Sequence, residues 1–323
     1  MRTILNTNML LEATFRETLL ILTATPIYLI VIVLEVLFSN LHDKKLYTGK
    51  GAFTNALLMF LNMGLDVVLR GICLMVLDYF YGFRFMEIES QLAYWLVLLI
   101  AQDFLYYLLH VVDHYCRVFW AVHVTHHSSQ EFNFTVGFRS SVFQPVYRFV
   151  YFIPLAFAGF ESLDIMFMYS ATQIYGILVH TQTVGKLGFL EYIMVTPSHH
   201  RVHHGSNARY LDKNMGMLFI IWDRMFGTFE EEKEPVKYGL TSNIDSNNPV
   251  TVVFHEWENL VADVKKNITF RDKLKYIFYR PGWSHDGSKK TSIELKEDFE
   301  VAEVSVDYPS NFSRLSSVPS KTA

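Results

Sequence analysis

Three apolar stretches constrain this chain more than anything else in it. Residues 18–38, 53–77 and 91–112 are rich in Leu, Ile, Val, Phe and Met, and each matches the roughly 20 residues an α-helix needs to cross a bilayer. Pro26 interrupts the first run and is tolerated there, because lipid-embedded helices accept proline where neighbours satisfy the freed backbone. Composition agrees: 51% of residues are apolar and 19% charged, a balance that suits lipid contact. The expected fold is all-α, a multi-span integral membrane helical bundle. Glu12 and Glu17 precede the first run without a small-residue cleavage pattern, so no cleaved signal peptide is expected. Lys44, Lys45 and Lys50 put the loop after the first span in the cytoplasm by the positive-inside tendency, and the amino terminus opposite.

Polar residues inside these runs carry information, because lipid penalises them. Asn62, Asp66 and Arg70 recur every four residues along the second run and must face protein or water. Pairing of Asp66 with Arg70 to join helices is favoured over a substrate role. The third run ends in Asp103, His110 and His114. Asp103 and Asp113 are candidates to accept a hydrogen bond from a metal-bound imidazole, with a plain helix-end contact as the equal alternative. Residues 143–160 and 163–179 read as a short membrane hairpin returning to the cytoplasm, and His180 closes it.

Nine of the thirteen histidines fall in two windows, 110–127 and 199–204. Side chains three and four apart on a helix share a face, which pairs His110 with His114, His123 with His126 and His127, and His200 with His203 and His204. Imidazole suits zinc, copper, iron or nickel, whereas magnesium and calcium want oxygen. One tetrahedral ion takes about four protein ligands, so eight or more converging histidines suit two ions. His180 lies in register with the boxes at the membrane exit and is counted as a further ligand. His199 stays open: it can pair with His203, but the H-x-x-H-H pattern uses His200. Thr196-Pro197-Ser198 marks a helix start before this last box. Ser128, Glu131 and Asn133, and likewise Asp212, Asn214, Asp223 and Arg224, can either orient imidazoles or be surface groups.

Other classes fit less well. A net charge of −4 without a basic stripe argues against nucleic acid. Only Cys73 and Cys116 occur, so neither a disulfide framework nor a thiolate site is expected. A zinc-dependent membrane hydrolase would want the glutamate of H-E-x-x-H. A metal transporter would place ionisable groups near mid-membrane, whereas these histidines gather at span ends. Neither G-x-G-x-x-G nor C-x-x-C is present, so electrons must come from an external donor, a reductase or a reduced pterin. Residues 251–280 read as two amphipathic helices with Trp257, Leu260 and Val264 on one face and His255 at the surface. Residues 286–323 read as a disordered tail.

The set H-x-x-x-H, H-x-x-H-H, H-x-x-H-H in a multi-span chain resembles the fatty acid hydroxylase/sterol desaturase superfamily of integral-membrane di-iron oxygenases. The segments His126–Asn133, Thr196–Gly205 and Ile221–Phe229 are most similar to its alkylglycerol monooxygenase branch, and the likeness covers about residues 50–230. Tyr115 departs from that branch, whose members usually carry an acidic residue there. The resemblance implies that His110, His114, His123, His126, His127, His200, His203 and His204 bind two iron ions in a cytoplasmic histidine-rich cap, with His180 a further ligand. It implies O2-dependent hydroxylation or desaturation of a C–H bond in a lipid such as a sterol, a fatty acyl chain or an alkylglycerol ether. It also implies residence in a bacterial inner membrane or the endoplasmic reticulum. The expected units are 1–52 with the first span, 53–230 as the membrane and di-iron domain, 231–285 as C-terminal helices, and the tail.

Overall fold

The computed structural model describes the backbone of residues 7–307 and the side chains of residues 15–302. Among the described residues all regular structure is helical, with two isolated bridges, Met194 to Phe219 and Gly205 to Tyr238. Three helices dominate: α1 (Thr7–Leu41), α2 (Gly49–Tyr81) and α3 (Gln91–Tyr115). Over Phe15–Leu41, Gly49–Tyr81 and Gln91–Tyr115 they are long and apolar enough to cross a membrane. The helices extend past the apolar runs that announced them, α2 at both ends and α3 at its C-terminal end. Thr48 Oγ1 accepts the Gly51 amide at 3.0 Å to start α2, and Ser90 Oγ accepts the Ala93 amide at 3.4 Å to start α3.

The polar stripe of α2 joins helices, as its spacing suggested. Arg70 is paired with Glu17 of α1 and lies 3.2 Å from Asp66, while Asn62 Nδ2 donates to the Ser141 carbonyl at 2.7 Å. Glu35 of α1 is buried and plays the same part, accepting from Tyr47, Thr181 and the Phe134 amide.

The expected hairpin is not a pair of matched runs. Residues 144–158 break into α5 (Gln144–Tyr147), a 3-10 segment (Arg148–Phe152) and α6 (Ile153–Ala158), and only α7 (Ser162–Leu178) is long. Pro145 and Pro154 explain the breaks: each sits in the first turn of its short helix, where a missing amide costs nothing, and neither fits a helix interior. Gly159, at φ 113°, then ends α6 against the Met86 carbonyl, where a Cβ would come within 2.3 Å of the oxygen. The fragments pack Phe152, Leu155, Phe160 and Ile165 onto Leu77 and Leu98 of the long helices.

Two amphipathic helices do occupy 251–280, as α10 (Pro249–Val264) and α11 (Phe270–Phe278), preceded in the chain by α4 (Arg117–His127), α8 (Pro197–His203) and α9 (Ile221–Phe226). Leu260 is buried, Trp257 and Val264 partly so, and Arg117 ties α4 to α10 through Glu256 and Asp263, both at 2.8 Å. The tail expectation is corrected over 292–307, where α12 (Ser292–Asp307) forms. Its first turn is built by Thr291, whose amide and hydroxyl both reach Glu294 at 2.7 Å. The rest of that expectation, 308–323, lies outside the described residues.

Candidate metal centre

Helix geometry distributes the histidines into two groups. One holds His110, His114, His123, His127 and His203, and the other His126, His180, His200 and His204; within each, the available ring nitrogens lie within 4.8 Å of one another. The boxes do not each converge on one point. In α4 the i, i+4 pair His123 and His127 joins the first group while His126 turns to the second. In α8 and its cap the i, i+4 pair His200 and His204 joins the second group while His203 turns to the first. Neighbouring residues on a helix diverge by about 100°, so an H-x-x-H-H box at the junction of two sites feeds both. The groups adjoin, with His127 and His204 stacked at 4.5 Å between ring centres.

The donor set fits metal ions. Nε2 atoms of His110 and His127 lie 3.0 and 3.1 Å from His123 Nε2, and those of His126 and His200 lie 3.2 and 2.9 Å from His180 Nε2. Ligands bound at 2.0–2.1 Å and near right angles stand about 3 Å apart. Nε2 of His114, His203 and His204 is buried without a protein partner, a loss of about 1–3 kcal/mol each unless something binds there. Burial, aided for most by neighbouring imidazoles, holds His123, His126, His127, His200, His203 and His204 well below the usual histidine range, and burial alone takes His180 to about 4. The rings are therefore neutral, the state that ligates.

Outer nitrogens set the orientation. His126 Nδ1 donates to the Arg139 carbonyl at 3.2 Å and His180 Nδ1 to the Gly176 carbonyl at 2.7 Å. For the five-membered group one strap, residues 212–216, does most of this. Its Met215 and Lys213 carbonyls accept from His110 Nδ1 at 2.7 Å and His203 Nδ1 at 3.0 Å, and Asp212 Oδ1 lies 3.2 Å from His114 Nδ1. Such partners fix the tautomer and leave Nε2 free for a metal. Asp212 and Asn214 have φ of 49° and 55°, the left-handed region that Asn and Asp enter more readily than most residues. The Lys213 carbonyl lies between these two positions and the Met215 carbonyl follows them.

The strap is itself held. Asp223 accepts the Met215 amide at 2.6 Å and the Gly216 amide at 2.8 Å, and buried Asn214 bonds the His199 carbonyl at 3.1 Å and both backbone groups of Glu230 at 2.8 and 2.9 Å. Asp103 corrects an expectation: it meets no histidine but accepts from the amides of Leu218 and Phe219 and from Trp222 Nε1 at 2.9, 3.1 and 2.9 Å, anchoring the strap's far end. Asp113 stands 3.8 Å from His123 Nδ1 and bonds Tyr147 and Arg148 at 2.6 and 3.3 Å. Of the loop residues after the second box, Ser128 braces Arg139 at 2.9 Å, while Glu131 and Asn133 bond the Thr48 amide and the Leu46 carbonyl. Arg224 lies over Phe229 and touches no grouped ring.

His199 belongs to neither group. As the third residue of α8 its Nδ1 accepts the Thr196 amide at 3.3 Å in a capping box, with Nε2 3.5 Å from Glu191. His255 is partly exposed and also lies outside both groups, and Tyr115 stacks under Arg280 at 4.1 Å. The orienting carbonyls carry no side-chain signature and could not be read from the sequence. The Asp-x-Asn pair at 212 and 214 was their one visible trace.

Two cavities reach the groups from different directions. A small one of about 40 Å³ touches His110, His123, His126, His180 and His200 and is walled by Tyr106, Gln173, Gly176 and Met217. A larger one of about 570 Å³ touches His114, His127, His203 and His204 and is walled by Trp120, Asn243, Trp283 and Ser292.

Residues 95–228 match the family model described as fatty acid hydroxylase. Alkylglycerol monooxygenase of Xenopus tropicalis is 35% identical over 285 residues, 85% of this chain and 61% of that protein. The human alkylglycerol monooxygenase is 38% identical over 222 residues, 68% of this chain and 49% of that protein. A Delta(7)-sterol 5(6)-desaturase of Gibberella zeae is 26% identical over 156 residues, 46% and 43% of the two chains. The chain thus spans about half the length of these relatives. No solved structure matches it. Together with three helices long and apolar enough to span a bilayer, these similarities make the chain an integral membrane protein. Residues 95–228, the stretch similar to the fatty acid hydroxylase family, carry every one of the nine grouped histidines.

Proposed function

We propose that this chain is an O2-dependent lipid hydroxylase or desaturase with one iron ion in each histidine group. The observation that carries this reading is the pair of adjoining groups in which outer nitrogens are anchored while Nε2 atoms converge, several of them with no protein partner. His110, His114, His123, His127 and His203 would hold one ion, and His126, His180, His200 and His204 the other. Bound iron supplies the redox chemistry by which dioxygen is activated and hydrogen is removed from an alkyl carbon.

The chain's residues position and enclose. The strap at 212–216 fixes three rings, and burial keeps His123, His126, His127, His180, His200 and His204 neutral. The small cavity, walled by Met217, Gly176 and Tyr106, is where the reacting carbon would lie. Phe226 packs against Phe104 and Tyr107 of α3 and, with Phe189, Tyr192 and Met225, is exposed, which supports a lipid tail arriving sideways from the bilayer. That route avoids a transfer through water costing about 0.8 kcal/mol per CH₂. The relatives' names point to alkylglycerols and sterols, so the substrate class is a sterol, a fatty acyl chain or an alkylglycerol ether.

The electron donor, a reductase or a reduced pterin, would approach through the larger cavity, whose 570 Å³ lies in the range of small-molecule sites. The histidines would face the cytoplasm with Lys44, Lys45 and Lys50. Residues 53–230 would form the catalytic membrane unit, with 1–52 adding a span and 231–285 closing the larger cavity. The test has two parts. Purified protein should hold near two irons per chain, and lipids of cells with and without the chain, grown in air, should differ by an oxidised species. Active protein without metal would overturn the reading.

A further inference from the structure

We infer that the C-terminal helix α12 is a working part of the histidine centre, with Ser292 a positioning residue for His114 that acts through Asp212. This rests on the metal reading above. Of the nine grouped rings, His114 is the one whose hydrogen bond runs to a carboxylate: its Nδ1 lies 3.2 Å from Asp212 Oδ1. The rings of His110, His126, His180 and His203 use backbone carbonyls, and His123 faces Asp113 at a longer 3.8 Å. A carboxylate partner raises the basicity of a ligating ring, and its loss is felt by the metal.

The second oxygen of Asp212 is claimed by α12. Ser292, the first residue of that helix, donates its hydroxyl to Asp212 Oδ2. Lys296, one turn on, adds its charge to the same carboxylate, and the helix start is the positive end of the backbone dipole. The attachment is built rather than incidental. Thr291 and Glu294 cap the helix, Arg209 lies 5.9 Å from the Phe299 ring, and Ser292 and Leu295 wall the larger cavity beside His114 and His127. Two side chains therefore connect a helix outside residues 95–228 to a ring of the five-membered group. With the Ser292 hydroxyl gone, Asp212 is free to rotate to water and His114 loses its fixed tautomer.

The experiment uses the full chain in nanodiscs, loaded with Mössbauer-active iron, as wild type, Ser292→Ala, Ser292→Thr and Asp212→Asn. Ser292→Ala should weaken one of the two irons about tenfold against a chelator and shift only that ion's quadrupole doublet. Ser292→Thr, which keeps the hydroxyl, should restore both. Asp212→Asn should weaken the same ion at least as much, and the double variant no further. Unchanged iron affinity and spectra in Ser292→Ala would overturn the inference, even with a lowered melting temperature. A wild type that binds no metal would instead overturn the metal reading, and this one with it.

Discussion

Replacing His126 and His127 by alanine, one at a time, separates the two groups with the smallest change in sequence. These adjacent residues point about 100° apart around α4, His126 toward His180 Nε2 at 3.2 Å and His127 toward His123 Nε2 at 3.1 Å. His126→Ala leaves three imidazoles in its group and His127→Ala leaves four. Four-ligand zinc sites bind with about 10–16 kcal/mol, so one ligand is worth about 3 kcal/mol, or roughly a hundredfold in affinity. His126→Ala should therefore lose one ion by about that factor. His127→Ala keeps a full tetrahedral set and should lose the other ion by about tenfold or less. Chelator titration followed by metal analysis measures the affinity, and Mössbauer spectra of the partly stripped protein identify which ion leaves. Both variants emptying the same site, or His127→Ala doing more damage, would refute the division into a five-membered and a four-membered group.

Three further outcomes are expected. A Cβ on Gly176 would come within 2.3 Å of Met217 Sδ, so Gly176→Ala should push the thioether into the small cavity. It should cost about 1–3 kcal/mol of stability and slow turnover at unchanged iron content, with Gly176→Ala/Met217→Ala recovering activity; loss of iron would contradict this. Asn214→Ala removes three hydrogen bonds from the strap at about 1 kcal/mol each, and should weaken the five-membered group while sparing the other; equal loss from both refutes the strap's role. Because burial lowers the folded pKa of His123, His126, His127, His200, His203 and His204, and takes that of His180 from 6.5 to about 4, the unfolded chain binds more protons below pH 6.5. Metal-free protein should then melt at a constant temperature above about pH 6.5 and at falling temperatures toward pH 5, by up to about 1.4 kcal/mol per pH unit for each ring. A flat profile across that range would show that the rings are not buried and neutral.

Much of this architecture was legible in the residues. The three long apolar helices followed from run length, and the Asp66–Arg70 pair from the expense of charge in lipid. The histidine spacing named the rings that meet, but not their division, since sharing a helical face does not fix which of two nearby points a ring addresses. His199 was ambiguous by spacing alone, and the capping box decided it. Asp103, two turns before His110, was one of two carboxylates offered to an imidazole, beside Asp113. It instead meets the strap, 115 residues later in the chain, a contact that local periodicity cannot carry. The helix α12 was hidden by a polar composition typical of tails; its link to the centre, the Ser292 hydroxyl on the Asp212 carboxylate, joins residues eighty apart in the chain.

Helices α4 and α8 each contribute to both groups, so filled groups would pin the two helices together at two separate points. A single rivet leaves a pivot, and two leave none. A chain loaded with one ion would keep a hinge between its second and third histidine boxes, and only full loading would lock the roof over the small cavity.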